Sequence, residues 1–198
     1  MTEVCARLPE EEGRRLGVIL FMDFEMVVKK RRMCRGYSGE DVPQEKVDRI
    51  LDMASRYPSA GHTEPQEFIV VRDQRVKEDL AHAALDQTFV AQAPLVIVVI
   101  SDVRRSAQRY GERGVRFFSI IDGAFVAMLV LLAVVSEGLG ACFVGSFYDE
   151  EVQEVLALPP DVRPIGIISV GYCAEEGPRK FPRRSREQIV HRDRYGSG

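Results

Sequence analysis

At 198 residues the chain has the length of one domain, or of a subunit whose core a partner completes. Its 45% hydrophobic residues can fill a substantial core, and a formal net charge of −3 gives none of the basic bias that marks a dedicated nucleic-acid binder. Cys5, Cys34, Cys142 and Cys173 form neither a C-x-x-C pair nor a zinc-type spacing with the three histidines, so scattered thiols in a reducing cytoplasm are expected rather than a disulfide framework.

Residues 1–22 join a charged opening to the apolar patch Val18-Ile19-Leu20-Phe21-Met22 and read as an appendage, without the pattern of a signal peptide. A single domain is expected over 23–198. Asp23 can cap a first helix, with Phe24, Val27 and Val28 on one face, the basic run Lys29-Lys30-Arg31-Arg32 at its end and Gly36 as the stop. Pro43 opens a second helix, in which Val47, Ile50, Leu51 and Ala54 recur at helical spacing up to Tyr57. The stretch Pro58 to Pro65 is a loop by composition. Phe68 to Val71 reads as a strand and Gln74 to Ala84 as a helix. Leu95 to Ile100 is a continuous β-branched run suited to a central strand. Ser101 to Gly114 is polar and expected to face solvent. The apolar stretch Ala124 to Val135 is too short to span a bilayer and reads as a buried helix, its all-round apolarity pointing to a subunit interface. Ala141 to Val144 and Ile165 to Val170 read as strands, separated by a short helix from Asp149 to Leu156. The tail 174–198, rich in proline and arginine, is expected to wrap over the surface of a partner. Without a regular alternation of strand and helix, the class is α+β. No G-x-G-x-x-G follows a strand, and no G-x-S-x-G, H-E-x-x-H or P-loop is present.

Four segments could carry chemistry. In Arg31-Arg32-Met33-Cys34-Arg35 an extended backbone would point Arg31, Met33 and Arg35 the same way, and guanidinium forks suit a phosphate or a flavin carbonyl. The plainer alternative is a solvated basic helix end, favoured by the helix dipole. Ser59, Ala60 and Gly61 would let backbone approach a flat ligand, with His62 and Thr63 as polar handles; an ordinary connection explains them equally. Gly138, Gly140 and Gly145 leave room for a cofactor ring or a neighbouring chain, although a helix cap accounts for the first two. The run Arg179 to Arg186 is a fourth candidate, or a solvated terminus.

Taken in order, Arg-Arg-x-x-Arg, Pro-Ser-Ala-Gly-His-Thr-Glu-Pro, Gly-Leu-Gly-Ala-Cys-Phe-Val-Gly-Ser-Phe, Leu156 to Pro164 and Val170-Gly171-Tyr172 with the basic tail resemble the nitroreductase family over roughly residues 24–195. The resemblance implies an α/β sandwich with a mainly antiparallel central sheet, an intertwined homodimer and FMN at the interface. It assigns Arg31, Arg32, Met33 and Arg35 to the phosphate, ribityl and pyrimidine side, Arg35 or Arg31 supporting negative charge at flavin N1. It lays Pro58, Ser59, Ala60 and His62 of the other subunit against the isoalloxazine, sets Val144, Gly145 and Ser146 beside the ring, and brings Arg183 to the phosphate. The expected reaction is ping-pong: NADH or NADPH reduces FMN, then a small organic acceptor takes its place, with no side chain acting as acid or base on the hydride. A dehalogenase, dehydrogenase or flavin-consuming relative, or a non-catalytic flavin-binding dimer, is the alternative. No metal, nucleic acid or membrane is expected. Met33 stands where many members have serine, Gln66 where tryptophan is common, and His62 and Glu64 where asparagine and glutamine are commoner; the Gly-His-Thr-Glu-Pro wording is similar to the iodotyrosine deiodinase branch.

Overall fold

The computed structural model of the chain describes residues 22–174 and 182–196. Its helices in chain order are α1 (Phe24–Lys30), α2 (Gln44–Ala54), α3 (Gln74–Ala83), α4 (Phe89–Gln92), α5 (Val103–Arg113), α6 (Ser119–Ser136), α7 (Asp149–Val155) and α8 (Arg186–Ile189). Four strands, β1 (Gln66–Val71), β2 (Leu95–Asp102), β3 (Gly140–Val144) and β4 (Val162–Gly171), form one sheet in the order β1-β2-β4-β3. Every neighbouring pair is antiparallel. The chain is therefore α+β, as its sequence implies.

The β-branched run of β2 is buried along its whole length because both faces of the sheet are covered. Alternation sends Leu95, Ile97 and Val99 to the side of α2 and α6, with Ile168 and Val170 of β4. Val96, Val98 and Ile100 face the other side, where Leu80 of α3 and Val152 of α7 pack. Pro164 sits in β4 beside a register shift between Val99 and Ile100, a place where a strand tolerates the missing N–H.

α6 is longer than the apolar stretch suggested. With α5 and the π-helical link Gly114–Phe118 it forms a helical run apolar and long enough to cross a bilayer by composition, yet it packs into the core through Val126, Val130, Leu131 and Val134. Its other face leaves Phe125 and Met128 exposed, in line with Phe117 and Ile120.

One expectation holds only in part and another fails. Ser101 to Gly114 is largely solvent-facing, but it is regular structure: Ser101 and Asp102 complete β2, buried, and Val103–Arg113 is a helix whose N-cap is the Asp102 carboxylate, accepting from the Arg104 N–H. That helix buries only Ser106, so it carries no apolar stripe to read. The thiols are not all scattered. Cys34 and Cys173 form a disulfide with Cα atoms 6.0 Å apart, across 139 positions of sequence. The expected appendage, except Met22, and tail residues 175–181, 197 and 198 lie outside the described residues.

Candidate functional site

The basic segment is shaped by the end of α1. Asp23 caps that helix by accepting from the Met26 N–H, and Lys29 and Lys30 sit at the negative end of its dipole. The chain leaves the helix at Arg31 with extended backbone and runs along the free edge of β3. Met33 bridges Ala141, and the Cys34 N–H donates to the Ala141 carbonyl at 2.9 Å. Alternation then turns Cys34 fully inward and Met33 and Arg35 outward. The Arg35 guanidinium lies 5.6 Å from the Phe89 ring centroid. The Phe143 N–H donates to the Met33 sulfur. Arg31 makes no ion pair among the described residues, and Arg32 donates to the Cys173 sulfur at 3.4 Å.

Gly140, one of the glycines expected to make room for a ring, has a nearer reason. A Cβ there would stand 2.8 Å from Cys173 Cβ and 2.9 Å from Cys34 Cβ, so the absent side chain admits the disulfide. At the other end of β3, Val144 buries its side chain in the core and can offer only backbone to a ligand. Gly145 and Ser146 are exposed, and their backbone N–H groups have no acceptor among the described residues. Gln87 donates to the Ser146 carbonyl at 3.3 Å, which draws this corner toward the Phe89 and Arg35 side. Arginine forks and two successive unsatisfied N–H donors thus share one edge of the sheet. That donor set suits an anionic, carbonyl-rich group such as a flavin phosphate and ring.

The Pro58–His62 loop sits elsewhere. The Ala60 N–H donates to both carboxylate oxygens of Asp122, each at 3.1 Å, and Asp122 is 1% exposed near the start of α6. Burial pushes the Asp122 carboxyl above the usual carboxylate range, and the Ala60 N–H only partly offsets it. Gly61, His62 and Glu64 all adopt positive φ; the Ser59 hydroxyl accepts from the Glu64 N–H, and His62 points its ring into solvent. Gln66 is buried and donates to the Ser119 carbonyl at 2.8 Å, bracing the start of α6. α5 lies directly on the loop: Arg109 donates to the Gly61 carbonyl, Arg105 to the Glu64 carbonyl, and a Cβ on Gly61 would meet the Tyr110 hydroxyl at 2.5 Å.

The structure lays Arg31 to Arg35 parallel to β3, with Met33 beside Ala141 and Phe143; Arg35 lies toward the corner of Phe89, Gly145 and Ser146, while Arg31 lies at the opposite, Gly140 end of the strand, away from Val144, Gly145 and Ser146. It does not bring Pro58, Ser59, Ala60 and His62 to the basic segment. The loop is anchored at Asp122, whereas Cys34 packs at Gly140 just past the opposite end of α6; Asp122 to Ser136 alone spans about 21 Å at 1.5 Å per residue. Arg183 is exposed on the tail and makes no hydrogen bond or ion pair among the described residues. Asp122, Arg105 and Arg109 were not among the expected site residues. Only Asp122 carried a signal, as a lone carboxylate in an apolar helix.

Comparison with known proteins bears on the same segments. The model of the nitroreductase family matches residues 28–95 and 81–172. An NADH dehydrogenase of Thermus thermophilus is 31% identical over 183 residues, covering 79% of this chain and 89% of that protein. An FMN reductase (NADPH) of Bacillus subtilis is 26% identical over 181 residues, covering 85% and 72%. Among solved structures, that of B. megaterium NfrA2 superposes with a TM-score of 0.80 at 26% identity, covering 86% of this chain and 74% of the other. With a match across most of its length and a fold shared with solved members, the chain belongs to the nitroreductase family.

Proposed function

We propose that the chain is an FMN-dependent oxidoreductase that is reduced by NADH or NADPH and passes the electrons to a small organic acceptor. The observation that carries this reading is the sheet edge where the basic segment Arg31–Arg35 runs along β3 toward the corner that exposes the N–H groups of Gly145 and Ser146. The names borne by its relatives, NADH dehydrogenase and FMN reductase, favour the same chemistry. FMN, when bound, supplies the two-electron acceptor and donor. Arg31 and Arg32 hold its phosphate and ribityl side, and Arg35 balances negative charge at the N1 edge. Gly145 or Ser146 donates backbone N–H toward N5. The tail brings Arg183 to the phosphate, and nicotinamide and acceptor use one pocket in turn, giving ping-pong kinetics.

The site is completed in a homodimer. The loop Pro58–His62 of one subunit covers the flavin held by the basic edge of the other, since one chain keeps the two apart along α6. The exposed face of Ile120, Phe125 and Met128 is the surface to bury in that assembly, and the tail 174–198 wraps the partner around the domain formed by 23–198. The cytoplasm is the compartment this reading favours. A flavin-binding dimer without turnover is the second reading, supported by the Met33 sulfur that stands where a hydroxyl would bind cofactor.

The test is the visible spectrum of the purified protein before and after anaerobic NADH or NADPH. Flavin absorption that bleaches on addition is the expected result. Flavin that stays oxidised would favour the non-catalytic dimer, and a protein that neither contains nor takes up FMN would overturn both.

A further inference from the structure

The segment over the Gly61 loop carries five arginines, and three are neutralised: Arg104 by Asp102, Arg105 by Glu67 and Arg116 by Glu112. Arg109 and Arg113 have no carboxylate partner among the described residues. Both instead lie over aromatic rings. The Arg113 guanidinium is 4.6 Å from the Phe117 centroid and 5.5 Å from that of Phe118, while Arg109 is 5.7 Å from Tyr110. Tyr110 and Phe118 are themselves in contact, with centroids 4.6 Å apart. A guanidinium stacked on a ring keeps its in-plane N–H donors for a second partner, and the ring fixes the direction in which they point. The placement depends on Gly111, whose φ of 54° and ψ of −137° turn the chain between Tyr110 and Arg113.

We propose that Arg109 and Arg113, with the rings of Tyr110, Phe117 and Phe118, bind a planar aromatic acceptor that carries its own carboxylate or sulfonate. This rests on the reading of the Pro58–His62 loop as flavin-facing, because Arg109 is bonded to that loop. Rings and cations sit within one ring's breadth of each other, which suits an anion attached directly to the aromatic system. A nucleotide separates its base from its phosphates by a sugar and fits this spacing poorly.

The test is calorimetric titration of the purified full chain with 2-naphthoate and with its neutral isostere 2-naphthamide. A charge-assisted bond predicts binding of the acid tighter by about tenfold or more. Arg113→Gln and Arg109→Gln should each remove most of that preference while leaving 2-naphthamide unchanged, and Arg113→Lys should keep part of it. Should a glutamine variant fail to fold, the wild-type salt response decides: naphthoate binding weakens with added salt and naphthamide binding does not. Equal affinity for acid and amide, or a preference untouched by both glutamine variants, overturns the inference. So does binding of 2′,5′-ADP, lost in Arg113→Gln, without binding of naphthoate, since the anion would then belong to a nucleotide. The flavin spectrum of the same sample is read separately: a protein without flavin that still prefers naphthoate through Arg113 has lost the FMN reading and kept the anion site.

Discussion

The two halves of the candidate site are held by different forces. The basic edge, Arg31 to Arg35 against Gly140 to Ser146, is fastened by backbone bonds to β3 and by the Cys34–Cys173 disulfide, with Tyr37 donating or accepting at 2.7 Å to Ser169 behind it. The loop Pro58–His62 has no strand partner. A buried carboxylate and two arginines hold it, through Asp122, Arg105 and Arg109. The first half is therefore built into the sheet, and its geometry should survive wherever the fold survives. The second is a polar attachment that can shift without unfolding the domain.

The largest expected effect comes from the covalent tie. Cys173→Ser opens a loop of 139 positions and should cost about 3 kcal/mol of global stability, measured by urea unfolding. Added reductant should lower wild type to the level of the variant and leave the variant unmoved. Equal stability in both states would mean that the sheet edge alone secures the basic segment. The pair also faces a choice of compartment: a reducing cytoplasm would tend to open it, and the mass of thiol-alkylated protein reads the state directly.

A smaller effect should come from Asp122→Asn. The raised pKa of the wild-type carboxyl means that the folded chain binds its proton more tightly than the unfolded chain. Stability from this group is thus fully present below the unfolded carboxylate range and is lost as pH rises through the raised folded value. Asparagine keeps an oxygen for the Ala60 N–H and removes the buried charge. The variant should match or exceed wild type at neutral pH, by about 1 kcal/mol or less, and lose that advantage on acidification. Thermal unfolding across pH checks it; a variant less stable at neutral pH would show that the charge itself holds the loop.

The difference between these regions also explains what could be read from the sequence. Leu95 to Ile100 is a strand because β-branched residues fill a site covered on both faces, and that pattern needs no knowledge of neighbours. The alternation of Met33, Cys34 and Arg35 follows from extended backbone in the same way. The disulfide could not be read, because 139 positions separate its cysteines and only the crossing of the basic segment with the end of β4 brings them together. α5 was missed because a helix that buries a single serine has no stripe, and its role came from contacts with the loop. Val144 was assigned correctly to the strand end, yet its side chain faces the core, so only its backbone remains available.

The central claim is that one flavin site draws its two halves from two subunits, and mixed dimers test it most directly. Arg31→Ala with Arg35→Ala damages the basic edge; Gly61→Val damages the loop, where φ is 57° and a Cβ would collide with Tyr110 and Arg109. Each homodimer should lose most of its FMN. A heterodimer of the two variants should recover about half of the wild-type flavin content, since one of its two sites has both halves intact. If the halves belonged to the same chain, both sites of the heterodimer would stay damaged, and a heterodimer as empty as either parent would contradict the account.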